Sequence, residues 1–109
     1  MNNKQKKIYI AGKIFDLPEE EYTEKFRLAS LLLMFSGYEP VNPVDFCSDI
    51  NSNIWLDYME RCLEILPKCD GIYLLYDWKH STGARLEKRV AEIIKEFRPD
   101  FEILEQNIF

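Results

Sequence analysis

The stretch Ser-Thr-Gly-Ala-Arg-Leu-Glu at residues 81–87 ends in a carboxylate that faces an unexpected way. An α-helix turns about 100° per residue. On that geometry Gly83, Val90, Ala91 and Ile94 fall within roughly 60° of Glu87, on the same face of a helix running from about Gly83 to Phe97. Arg85, Lys88, Arg89, Glu92, Lys95 and Glu96 occupy the opposite face. Such a helix docks its apolar side, so Glu87 is expected to point inward. An inward carboxylate has two uses. It can be held rigid and partly desolvated as a reacting group, or it can accept hydrogen bonds in a structural network. Helix geometry leaves both open. Other chemistry is poorly represented. Cys47, Cys62 and Cys69 are odd in number and lack C-x-x-C spacing, and His80 is the single histidine, so no metal site, disulfide framework or bound cofactor is expected. Thiols used this way fit a reducing, cytoplasmic compartment.

Positioning Glu87 is the task of the surrounding elements. KIYIAG (7–12) reads as a first strand, β-branched and aromatic and ended by glycine. Asp16 and Pro18, followed by Glu19, Glu20 and Glu21, mark a helix start. Tyr22, Phe26, Ala29 and Leu33 continue that helix at helical spacing until Gly37 stops it. YEPVNP (38–43) is a short second strand, and VDFCSDINSN reads as a loop whose Ser52 or Asn53 caps the next helix. Trp55, Met59, Cys62, Leu63 and Leu66 share one face of that helix before Pro67 ends it. GIYLLY (71–76) is a continuous apolar run, as a parallel strand covered on both faces requires. FEIL (101–104) is a last strand.

Alternating strands and helices in 109 residues predict one domain over residues 1–109: a three-layer α/β/α, flavodoxin- or Rossmann-like fold with a four-stranded parallel sheet in the order 2-1-3-4. Ligands in such sheets bind at the carboxyl ends of the strands beside the switch point, here between strands 1 and 3. The loops leaving those strands are AGKIFD and YDWKHSTG, and Glu87 follows the second. A net charge of −5 argues against polymeric nucleic acid or an anionic membrane as partner. The longest greasy run, LASLLLMF (28–35), is too short to cross a bilayer, and no secretion signal is expected after the basic MNNKQKK.

YIAGKI (9–14), NP (42–43), WLDYM (55–59), CDGIYLLYDW (69–78) and above all STGARLE (81–87) together resemble the small phage and bacterial DUF4406-like domains. These are related to nucleoside 2-deoxyribosyltransferases and deoxynucleoside 5′-monophosphate N-glycosidases. The resemblance covers nearly the whole chain and implies that Glu87 is the nucleophile attacking the anomeric carbon. A carboxylate suits that step, because it stabilises an oxocarbenium-like state and then traps it as a glycosyl-enzyme. Water or a second nucleobase would complete the reaction.

The candidate substrate-binding residues are Tyr9, Gly12, Lys13, Asn42, Asp77, Trp78, Ser81 and Gly83, of which Gly12, Lys13, Ser81 and Gly83 fall on the segments to which the resemblance assigns substrate binding. Relatives acting on monophosphates carry serine at the position of Ser81, where a carboxylate would repel phosphate. Ser81 and the amides near Gly83 can seat an anion at a helix start, and Ser81 can equally cap the helix. Gly12 permits close backbone approach and Lys13 can pair with a phosphate, although the spacing is not that of a P-loop. Tyr9 and Trp78 can stack on a base or simply pack, and Asn42 can also be a turn former. One departure stands out. Cys62 occupies a position where many relatives have an aspartate that helps protonate the leaving base, which leaves Asp45, Asp57 and Asp77 as alternative proton sources.

Two functions follow as expectations. The first is N-glycosidic cleavage or base transfer on a (deoxy)nucleoside or its 5′-monophosphate. The second is a catalytically inactive nucleotide-binding or sensing module of the same fold. In either case the partner is a small nucleoside or nucleotide, and so small an α/β unit is expected to form a homodimer or higher oligomer. A phospho-acceptor receiver domain is disfavoured, since it needs an acidic pair after strand 1 and AGKIFD offers only Asp16.

Overall fold

The computed structural model describes residues 4–50 and 54–106. Four strands, β1 (Lys7–Ala11), β2 (Glu39–Val41), β3 (Gly71–Leu74) and β4 (Glu102–Glu105), form one parallel sheet in the order β2-β1-β3-β4. Helices α1 (Glu19–Phe35), α2 (Pro43–Phe46), α3 (Trp55–Ile65) and α4 (Thr82–Phe97) complete the fold. The α/β class and the strand order agree with the reading of the sequence. The switch point lies between β1 and β3, where Ile10 pairs with Tyr73 and Ala11 with Leu74.

The period-2 alternation of β1 divides the core. Ile8 and Ile10 point to one face and pack with Phe26, Ala29 and Leu33 of α1, together with Tyr73 and Leu75. Tyr9 and Ala11 point to the other, against Cys62 of α3, Ala84 and Ala91 of α4, Leu66, Cys69, Ile72, Leu74 and Phe101. Among the described residues, only the second face buries an acid of a helix, Glu87 of α4.

Local chemistry explains the ends of the elements. Gly37 takes a left-handed φ of 91° after α1, and the Tyr38 amide returns to the Leu33 carbonyl. The stop expected at Gly37 is therefore present. Asp16, expected to help start α1, instead sits in the preceding loop at φ 70°, and the helix begins after Pro18. The segment read as loop after β2 contains the single turn α2. Asn42 caps it by accepting from the Val44 amide at 2.9 Å, with Pro43 in the first turn. The expected caps Ser52 and Asn53 lie outside the described residues. After α3 the chain tightens into a 3₁₀ turn at Leu66–Lys68. Asp70 then accepts from the Lys7 amide at 2.8 Å and so ties the entry of β3 to β1. Among the described residues, no helix is long and apolar enough to cross a membrane.

Candidate functional site

A cavity of about 650 Å³ opens at the carboxyl end of β1, between the β1–α1 loop, α2, α3 and the start of α4. That volume lies within the range of small-ligand sites. Glu87 lines it and is 5% exposed. The sequence places it there simply: Gly83, Ala84, Glu87 and Ala91 are the buried stripe of α4, and Glu87 is the one member with a charge to hide.

Tyr9, projecting from β1 on the same face, donates its hydroxyl to Glu87 Oε2 in a short hydrogen bond. Among the described residues, no lysine, arginine or histidine forms an ion pair with Glu87. Burial therefore dominates its titration and raises its pKa from 4.5 to about 8, while hydrogen bonds from Tyr9 and Cys62 pull the other way. Burial likewise raises the Tyr9 hydroxyl well above its ordinary value, with the neighbouring Glu87 charge adding to the effect. Cys62, on α3, faces the same group. Burial and then the Glu87 charge push its thiol far up, and its Sγ lies 4.0 Å from that of Cys47. Both thiols line the cavity. A carboxylate held by neutral donors in an apolar wall can act as a nucleophile when ionised and as an acid when protonated.

At the head of α4, Ser81 is the N-cap and its Oγ accepts from the Ala84 amide at 3.1 Å. Capping uses a lone pair only, so the hydroxyl proton remains available to a ligand in the cavity that Ser81 lines. Two glycines shape the wall for reasons of packing. A Cβ on Gly83 would come within 2.9 Å of Met59 Sδ, so glycine there lets α3 and α4 meet closely. A Cβ on Gly12 would press against the Leu75 side chain at 2.7 Å.

Of the residues singled out in the sequence, Tyr9, Gly12, Ser81, Gly83 and Glu87 converge on this cavity. The other four lie elsewhere. Asn42 spends its side chain on the α2 cap. Trp78 sits in a 3₁₀ turn (Trp78–His80) and donates its indole N–H to Glu105 at 2.8 Å, with Lys88 against its ring. Asp77 is 9% exposed and forms an ion pair with Lys25 of α1, while its Oδ1 accepts from the Lys13 amide at 3.1 Å. Lys25 Nζ also reaches the Lys13 carbonyl at 2.7 Å, so Asp77 and Lys25 lock the β1–α1 loop to the loop after β3. The Lys13 side chain is not part of the cavity lining.

The sequence reading gave Phe15, Asp16, Glu19, Tyr22, Trp55 and Tyr58 no part in the site, yet all of them line the cavity. Phe15 and Tyr58, both in the cavity lining, meet edge to face with ring centroids 5.4 Å apart. Trp55 and Tyr22 add aromatic surface, and Asp16, Glu19 and Asp45 add acidic side chains. Of the three alternative proton sources, only Asp45 lines the cavity. Among the described residues no lysine, arginine or histidine lines it, and no cluster of three potential metal ligands occurs.

A family model described as a domain of unknown function (DUF4406) matches residues 6–96. The chain belongs to that family, and the match runs from the edge of β1 to the last turn of α4, spanning every residue that lines the cavity. No curated protein matches the chain.

Proposed function

We propose that the chain cleaves the N-glycosidic bond of a nucleoside or nucleotide, with Glu87 as nucleophile. The observation that carries this reading is a buried carboxylate with no cationic partner, held by Tyr9 in the wall of a ligand-sized cavity. A structural acid at such a depth is normally neutralised by a cation. Glu87 instead meets neutral donors.

In this mechanism Glu87 attacks C1′ as the C1′–N bond breaks, giving a glycosyl-enzyme that water or a second base resolves. Tyr9 fixes the carboxylate through Oε2. The hydroxyl of Ser81 donates to a substrate oxygen, and the aromatic wall of Tyr22, Trp55 and Tyr58 packs on the base. Because the attacking form is ionised, kcat/KM should rise about tenfold per pH unit below about 8 and then level.

The second reading, a nucleotide-binding module without turnover, rests on Cys62. A thiol with a strongly raised pKa stands where an acid would protonate the leaving base. The test separates the two. A panel of deoxynucleosides, ribonucleosides and their 5′-monophosphates is incubated with the protein, with and without a second free base, and released or exchanged base is measured. Release that disappears in Glu87→Gln and Glu87→Ala supports the enzyme. Ligand-induced thermal stabilisation without release supports the binding module.

A further inference from the structure

We propose that the cavity takes an N-glycoside whose base carries a positive charge and whose sugar carries no phosphate. This rests on the glycosidase reading of Glu87 for its chemistry, while its charge selectivity stands on the lining alone.

The first observation is electrostatic. Asp16, Glu19, Asp45 and Glu87 all line the cavity, and among the described residues no lysine, arginine or histidine does. The cavity's positive features are backbone ones: the first turns of α1, α3 and α4 all contribute lining residues, and a helix N-terminus is equivalent to about half a unit charge. Against these stand the carboxylates of Asp16, Glu19 and Asp45, and at α4 the Ala84 amide is already taken by Ser81. A phosphate dianion entering here meets the like charges of Asp16, Glu19 and Asp45, which are exposed, so the repulsion is screened by solvent. A cationic base meets attraction, and the rings of Tyr22, Trp55 and Tyr58 add cation–π surface. Lys13, the cation nearest in sequence to the cavity glycine Gly12, uses its backbone to join the Asp77–Lys25 clamp, and its side chain does not line the cavity.

The second observation is chemical and independent. A neutral nucleobase must usually be protonated as it leaves, yet the groups buried beside Glu87 are poor donors, and Asp45, the proton source that does line the cavity, is an exposed residue of α2. The Cys62 thiol and the Tyr9 hydroxyl are both pushed up by burial, and Tyr9 is committed to Glu87. The Tyr58 hydroxyl is committed to the Ile50 carbonyl at 3.2 Å. A base that is already cationic needs no proton. As the C1′–N bond breaks, its electron pair neutralises the ring nitrogen and the base departs uncharged. Glu87 forms the new C1′–O bond, and water then displaces the carboxylate and loses its proton to solvent. The poor donors beside Glu87 and the lack of a lining cation among the described residues thus point to the same substrate class.

The experiment compares N7-methylguanosine and N7-methyl-2′-deoxyguanosine with guanosine, deoxyguanosine and all the corresponding 5′-monophosphates. Base release is followed at neutral pH, with Glu87→Gln as the background for spontaneous loss, and thermal shifts are recorded for each ligand. The expected result is a Glu87-dependent kcat/KM about a hundredfold higher for the methylated nucleosides than for the neutral ones, of which about tenfold is electrostatic. A 5′-phosphate should lower it by about tenfold. Asp16→Asn with Asp45→Asn should narrow the phosphate penalty, and asparagine tolerates the left-handed φ of 70° at position 16. Glu87-dependent release that is equal across the panel, or fastest from monophosphates, overturns the substrate class and leaves the glycosidase reading standing. No release, with larger thermal shifts from methylated nucleosides than from monophosphates, supports the charge selectivity and removes the glycosidase. Thermal shifts largest with monophosphates overturn the proposal outright.

Discussion

Two acids are buried near the carboxyl end of this sheet, and they are treated in opposite ways. Asp77 is 9% exposed and meets Lys25 and the Lys13 amide, while Lys25 also donates to the Lys13 carbonyl. Glu87 is 5% exposed and meets a tyrosine hydroxyl and a thiol. Both sit in loops or helices leaving β3, within ten residues of one another in sequence. The first is neutralised by an opposite charge and holds two loops together. The second keeps its desolvation penalty and faces a cavity. A buried acid with a cation is read as architecture, and one without as a group poised for chemistry.

The comparison can be broken most forcefully at Glu87. If it is the nucleophile, Glu87→Ala should reduce base release by at least about a thousandfold, whereas the same readout in a folded Asp77→Asn protein should fall far less. Equal losses would erase the distinction. Stability should show the reverse. Asp77→Ala leaves Lys25 buried beside an empty site, and urea unfolding should reveal a loss of about 3 kcal/mol.

Glu87→Gln should instead stabilise the protein, but only at higher pH. The folded pKa of about 8 lies above the ordinary 4.5, so between these values the unfolded chain has released a proton that the folded chain retains. Stability therefore falls as pH rises through that window, then levels off above about 8. Unfolding measured at pH 5 should give nearly equal midpoints for the two proteins, and at pH 9 Glu87→Gln should be more stable by about 2 kcal/mol. A wild-type protein whose stability is flat across the window would refute the desolvated acid. The smallest effect belongs to Tyr9→Phe. Loss of that hydrogen bond, about 1 kcal/mol, should move the Glu87 titration and the pH–rate midpoint upward by less than one unit.

Much of this was legible from residue types. The first two strands were bounded by Gly12 and Pro43, the third announced itself by a continuous apolar run, and the inward aim of Glu87 followed from helix geometry. The cap at Asn42 carried a readable signal, since asparagine before proline is an N-cap followed by a first-turn residue. It went unread because the same Asn-Pro pair also ends a strand convincingly. The fates of Asp77 and Trp78 were not readable. Both depend on a 3₁₀ turn that sends Trp78 to Glu105 and leaves Asp77 beside Lys25, a partner 52 residues away. The acidic wall was hidden for a similar reason. Asp16 and Glu19 come from the entry to α1 and Asp45 from α2, and only the packed fold sets them around one space.

The most direct test of Glu87 as nucleophile uses a nucleoside whose sugar bears a 2′-fluorine, which slows hydrolysis of a glycosyl-enzyme more than its formation. After incubation the intact mass and the peptide map are recorded. The account predicts a single added glycosyl group on the peptide containing Glu87, absent in Glu87→Gln. Base release that persists undiminished in Glu87→Gln would contradict it.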